Sequence, residues 1–163
     1  MELEKAVALE PNGLWPNFYE GICGYRLHHY EDAVSAFRAC IALAPERAEC
    51  FYNRALASAA LGNTDQALRD YDRALQLDPD LAVAFLNRGI LRYRQGYLAD
   101  AGADLKRALD LGANPTLAHY NLALVRLAQH DHAGARANLQ SALQHNPAHR
   151  AARQLWNRLQ KEQ

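Results

Sequence analysis

The stretch AECFYNRALASAALGNTDQALRDYDRALQLDPDL, residues 48–81, decides the architecture of this chain. Apolar or small residues stand at Phe51, Ala55, Ala57 and Leu61, the pattern breaks at Gly62-Asn63, and it resumes at Ala67, Leu68, Tyr71, Ala74, Leu75 and Leu77 before Pro79. That spacing lays one apolar stripe on each of two helices, with a tight glycine turn between them. The stretch predicts a helical hairpin.

Shifted along the chain, the hairpin lands repeatedly on itself. Ala33, Ala67, Ala101 and Ala135 are spaced 34 residues apart. The same register aligns Gly21, Ala55, Gly89 and Ala123, then Phe37, Tyr71, Leu105 and Leu139, then Cys40, Ala74, Ala108 and Ala142. Four complete units follow, 14–47, 48–81, 82–115 and 116–149, and a period of this size points to stacked hairpins forming one domain. Residues 1–13 fit the tail of a second helix, with Ala6 in the place of Ala74 and Pro11 in that of Pro79, so a fragment of a longer array is expected.

In the first unit, one helix is predicted from near Pro16 to about His28-His29 and the next from about Glu31 to Leu43. The third unit leaves differently: Ala113 replaces the expected proline, and Gly112-Ala113-Asn114-Pro115 predicts a positive φ at Gly112 and a restrained Asn114. Residues 150–162 predict a capping helix, apolar along Ala151, Ala152, Leu155, Trp156 and Leu159 and polar along Arg150, Arg153, Asn157, Arg158 and Lys161.

Eighteen basic residues cancel 18 acidic ones, so overall charge names no partner. Cys23, Cys40 and Cys50 are odd in number and lack a CxxC spacing; they read as reduced, mostly buried thiols, with Cys40 in a slot that alanine fills elsewhere. No apolar run approaches the ~18 residues of a membrane span and no hydrophobic leader is visible, so a cytoplasmic, non-membrane protein is expected.

The 34-residue period, the small residues at unit positions 8, 20 and 27 and the proline at position 32 resemble the tetratricopeptide repeat over essentially the whole chain. The resemblance implies an all-α, right-handed solenoid of antiparallel helix pairs. Two columns depart from the family's pattern. Position 4, often tryptophan, carries Asn17, Phe51, Phe85 and His119, and position 11, often tyrosine, carries Gly24, Ser58, Arg92 and Arg126.

At about 100° per residue, positions 4, 8 and 11 of the first helix share one face and positions 2, 6, 9 and 13 the opposite one. The second face reads Trp15, Tyr19, Ile22, Arg26; Glu49, Asn53, Leu56, Ala60; Val83, Asn87, Ile90, Arg94; and Leu117, Asn121, Leu124, Ala128. It is too apolar for an ordinary wet surface. The resemblance implies that this stripe lines a concave groove for partner segments. Asn53, Asn87 and Asn121 would then form a ladder for the main chain of an extended peptide, since each carboxamide both donates and accepts. Trp15, Tyr19, Ile22, Leu56, Ile90 and Leu124 would form its apolar floor, and Arg26 and Arg94 would hold acidic side chains. The alternative is that the asparagines bond neighbouring helices or water. Tyr25, Tyr52, Tyr93 and Tyr120 read as packing between helices.

The clamp by which one subtype of the family takes acidic chaperone C-termini needs basic residues where Phe18, Tyr52, Val83 and Leu117 stand, and it is not expected here. His28-His29 and His130-Asp131-His132 fall in turns of units two apart, without neighbouring cysteine ligands, and read as solvated. No phosphate-binding, zinc-protease or nucleophile-elbow motif is present. The reading is therefore a non-catalytic scaffold without cofactor, metal or small-molecule substrate. A self-associating structural array is the alternative, or a regulatory array resembling those appended to bacterial signalling proteins such as serine/threonine kinases. A cluster of Arg88, Arg92, Arg94 and Arg126 is the weaker case for nucleic acid, opposed by the balanced charge.

Overall fold

The computed structural model describes residues 13–161, and the segment read above as a partial repeat lies outside them. Nine α-helices occur among the described residues: α1 Leu14–Arg26, α2 Tyr30–Leu43, α3 Ala48–Ala60, α4 Thr64–Leu77, α5 Ala82–Arg94, α6 Leu98–Asp110, α7 Pro115–Ala128, α8 His132–His145 and α9 Arg150–Lys161. The protein is an all-α helical repeat. Its contacts divide it into two compact units, Met1–Asp80 and Leu81–Gln163. The first holds hairpins α1/α2 and α3/α4; the second holds α5/α6, α7/α8 and the closing helix α9.

Each hairpin turns through one hydrogen-bond pattern. The N–H at position 16 donates to the carbonyl at position 11: His29 to Gly24 (2.8 Å), Asn63 to Ser58 (2.9 Å), Tyr97 to Arg92 (2.9 Å) and Asp131 to Arg126 (2.9 Å). The turn consumes a main-chain carbonyl that any residue supplies, which is why position 11 tolerates glycine, serine and arginine. Position 15 takes a left-handed conformation, at Gly62 and Gly96 (φ 82° in each) and also at His28 (φ 63°) and His130 (φ 61°). Gly112 is left-handed as expected, and the exit it opens is capped: Asn114 Oδ1 accepts from Leu117 N–H (3.1 Å), with Pro115 at the first helical position.

The repeated small residues sit where the two helices of a hairpin touch. Ala33, Ala67, Ala101 and Ala135 are wholly buried, as are Cys40, Ala74, Ala108 and Ala142. A Cβ added to Gly21 would come within 2.7 Å of the Phe37 ring, and one added to Gly89 within 3.0 Å of Leu105 Cγ. At either place the facing side chain would have to give way, so the period records positions where only a small residue fits. Position 24 fills the space beside these contacts with Phe37, Tyr71, Leu105 and Leu139, all buried.

Three details differ from expectation. Helix α1 begins at Leu14, two residues before Pro16, because proline is tolerated throughout a first turn whose N–H groups lack helical acceptors. On α9 only Ala152, Leu155 and Leu159 are buried, with Trp156 half-buried; Ala151 faces outward because it lies about 100° from the packed line. Cys23 is exposed, whereas Cys40 and Cys50 are buried together where α2 and α3 meet.

Candidate functional site: the exposed faces of the first helices

Helices α1, α3, α5 and α7 pack through positions 4, 8 and 11; position 2 is exposed in every unit, position 9 is half-buried, with Ile22, Ile90 and Leu124 packed against the core, and position 6 ranges from exposed Tyr19 to buried Asn121. In the first unit Trp15 is 46% exposed, Tyr19 and Arg26 are exposed, and Ile22 is half-buried; on α3, Glu49 and Ala60 are exposed while Asn53 and Leu56 are half-buried. Trp15 is held by two neighbours, with Tyr19 at 6.2 Å between ring centroids and the Arg47 guanidinium 4.8 Å over its ring. A cation over an indole helps to fix the ring, which keeps nearly half of its surface exposed.

The second unit presents the same column with aliphatic residues. Val83 and Leu117 are exposed, Ile90 and Leu124 are half-buried, and Arg94 and Ala128 face outward. Four of the seven large hydrophobic side chains exposed among the described residues, Trp15, Tyr19, Val83 and Leu117, belong to this one column.

The asparagines have a local occupation that spacing alone could not reveal. Nδ2 of each donates to the carbonyl four residues earlier on its own helix: Asn53 to Glu49 (2.7 Å), Asn87 to Val83 (3.0 Å) and Asn121 to Leu117 (2.8 Å). The bond uses one of the two N–H groups and holds the carboxamide against its own helix. Asn53 and Asn87 are half-buried, while Asn121 is only 8% exposed. The three are thus unequal in their access to a ligand.

The tyrosines pack as expected. Tyr25 lies 5.5 Å from Tyr30, Tyr52 lies 6.1 Å from Tyr71, Tyr120 lies 5.1 Å from His149, and Tyr93 lines the core of the second unit. His28 and His130 are exposed in their turns, and no group of three metal-ligating side chains converges among the described residues.

Arginines that suggested a nucleic-acid patch serve the hairpins instead. Arg54 places Nε and Nη2 on Asp70 at 2.8 and 2.7 Å. Arg88 does the same to Asp104 at 2.9 and 2.7 Å, and Arg92 adds a third bond at 2.8 Å. Arg126 pairs with Asp131 at 2.9 Å, leaving Arg94 as the outward-facing member of the set. Sequence reasoning missed these two-point pairs although their signal was visible: arginine at position 7 and aspartate at position 23 recur in consecutive units, 16 residues apart.

The unit that carries this column in the first hairpin-decisive stretch matches the tetratricopeptide repeat family model over residues 48–81. That stretch is a tetratricopeptide repeat. Solved tetratricopeptide structures share the fold over most of the chain. PilF of Pseudomonas aeruginosa is 21% identical with a TM-score of 0.85, covering 90% of this chain and 67% of its own. The tetratricopeptide domain of Arabidopsis OM64 is 26% identical with a TM-score of 0.68, covering 71% of this chain and 95% of that domain. YrrB, described as a tetratricopeptide protein with an unusual peptide-binding site, is 20% identical with a TM-score of 0.79, covering 94% of this chain and 79% of its own. No curated protein is similar enough in sequence to count as a relative. The tetratricopeptide fold is that of a protein-interaction scaffold, and no helix among the described residues is long and apolar enough to cross a membrane.

Proposed function

We propose that this chain is a non-catalytic scaffold that takes an extended or helical segment of a partner protein on the exposed faces of the first helices within its compact units. The observation that carries the reading is the concentration of exposed apolar side chains in one repeat column, alongside asparagines held in a fixed rotamer. An apolar column on the packed side would be core; on the exposed side it costs solvation in the free protein and is recovered on binding. Asparagines already anchored to their helix lose little further rotamer entropy when a peptide main chain arrives. YrrB's peptide-binding site supports the choice of a peptide as ligand class. Asn53 and Asn87 are the stronger contacts, Asn121 the weaker, with Trp15, Tyr19, Ile22, Leu56, Ile90 and Leu124 as the apolar floor and Arg26 and Arg94 at its edge.

The test compares wild type with an Asn53→Ala, Asn87→Ala double variant in capture of partner proteins, followed by titration of the peptide that is mapped. Helix content should be unchanged, and unfolding free energy should stay within about 1 kcal/mol, because bonds back to a helix's own carbonyl add little. Affinity should fall by tenfold or more, which is about 1.4 kcal/mol. Equal affinity in both proteins would remove this column from the binding surface.

A further inference from the structure

The zero net charge of the chain conceals two oppositely charged halves. Residues 13–80 carry ten Asp/Glu against six Lys/Arg, whereas residues 81–161 carry four against eleven. From His132 to Lys161 there is no carboxylate side chain at all. On α9, Arg150, Arg153 and Lys161 are exposed and fall within one stripe opposite the packed line of Ala152, Leu155 and Leu159. The stripe is about 16 Å long at 1.5 Å per residue. Arg153 donates to the Pro147 carbonyl in the preceding turn, which leaves Arg150 and Lys161 as the ends of the stripe.

The first hairpin is the complement. In the second and third repeats, position 7 is an arginine whose guanidinium bridges the two helices onto an aspartate at position 23. In the first repeat these places hold Glu20 and Ala36. A cleft of about 460 Å³ lies between α1 and α2, lined among others by Glu20, Asp32, Asn17 and Ser35. Glu31 is exposed next to Asp32. The place that an internal guanidinium occupies in the sister repeats is thus open, and a carboxylate stands where its owner would be.

We propose that the chain associates head to tail with itself, the Arg150–Arg153–Lys161 stripe of one copy docking on the Glu20, Glu31 and Asp32 side of the first hairpin of the next. A guanidinium supplied by the second copy enters the cleft beside Glu20 and Asp32. The surfaces differ, so the contact itself is heterologous. Both partners stay solvated at their edges, which makes the association weak and strongly salt-dependent. It is independent of the exposed column of the first helices.

Sedimentation of the full chain tests this across protein concentration at low salt and at about 1 M salt, where the screening length is about 3 Å. The mean mass should rise with concentration at low salt and return to that of the monomer at high salt. Two charge reversals, Arg150→Glu with Lys161→Glu and Glu20→Lys with Asp32→Lys, should each weaken association at least tenfold with helix content retained. Mixed in equal amounts, the two variants should associate again, because each reversed end then meets an opposite one. A wild type that stays monomeric at every concentration, or a mixture that does not recover, overturns the proposal. Salt-sensitive retention of an oligonucleotide by a monomeric wild type would assign the α9 stripe to nucleic acid instead.

Discussion

The inner and outer repeats of this chain solve the same packing problem with different side chains. Repeats two and three bridge their helices with a charged pair, Arg54–Asp70 and Arg88–Asp104, and turn on Gly62 and Gly96. The first repeat fills the hairpin with aromatic rings, Phe18 lying 5.9 Å from Phe37 and Tyr25 packing on Tyr30, and turns on His28. The fourth turns on His130 and bridges its helices with a contact of 3.2 Å between His119 Nδ1 and the amide Oδ1 of Asn138. All four nevertheless make the same turn bond and bury the same small-residue columns. The backbone approach at those columns therefore defines the hairpin, and the polar bridge is an addition that some repeats carry and others replace.

Removing the bridge is the strongest way to break that comparison. Asp104 is almost wholly buried beneath two guanidinium groups, so Asp104→Ala leaves both without their carboxylate and should cost about 3 kcal/mol or more in urea unfolding. Asp70→Ala strands one guanidinium, that of Arg54, with the amide of Gln66, and should cost about 2 kcal/mol. Asn138→Ala in the fourth repeat should cost about 1 kcal/mol. Equal losses at the three sites would mean that the bridges of the inner repeats contribute nothing beyond the histidine–amide contact of the fourth.

The turns sharpen it at smaller scale. A side chain in the left-handed region costs roughly 1 kcal/mol relative to glycine, so His130→Gly should stabilise the protein by about that amount. His28→Gly should gain less, because the His28 ring shares a 2.6 Å hydrogen bond with the Tyr30 hydroxyl. Thermal melting of the two variants side by side measures the difference, and a loss in both would show that the histidines hold contacts worth more than the strain.

The smallest effect at neutral pH concerns the first repeat's Cys40, which stands where the other repeats have alanine. Burial, reinforced by neighbouring Cys50, pushes its thiol up to about 12, and burial also raises Cys50. The folded state thus holds a proton that the unfolded chain releases near 9.0. Stability from this site is complete below that value and is lost as pH rises from there toward about 12. Unfolding of wild type and Cys40→Ala should differ by a constant amount up to pH 8.5. Above that the wild type should fall faster. In the native protein a thiol reagent should label exposed Cys23 well ahead of the two buried cysteines.

Most of the fold was legible because a 34-residue period with small residues at three places leaves one way for two helices to meet. Gly21, Ala55, Gly89 and Ala123 declare the close approach by lacking bulk, and bulk is a property a sequence states openly. The pitch of the helix also set apart the position 2 residues Trp15, Val83 and Leu117, which are exposed, but not the burial of Asn121 further along the same line. Three other things were not legible. Asn53, Asn87 and Asn121 turn their amides onto their own helices, a choice between local and distant acceptors that spacing does not settle. Arg88 and Arg92 converge on a single carboxylate because a hairpin brings position 23 beside positions 7 and 11, which only the folded pair accomplishes. Cys23 emerges while Cys40 is covered because exposure depends on the neighbouring helix, not on the residue. Chain chemistry determined which surfaces must be close and which backbone conformations were affordable; tertiary structure alone decided which polar atoms found each other, since hydrogen bonds and ion pairs act over about 3 Å and their partners come from different helices.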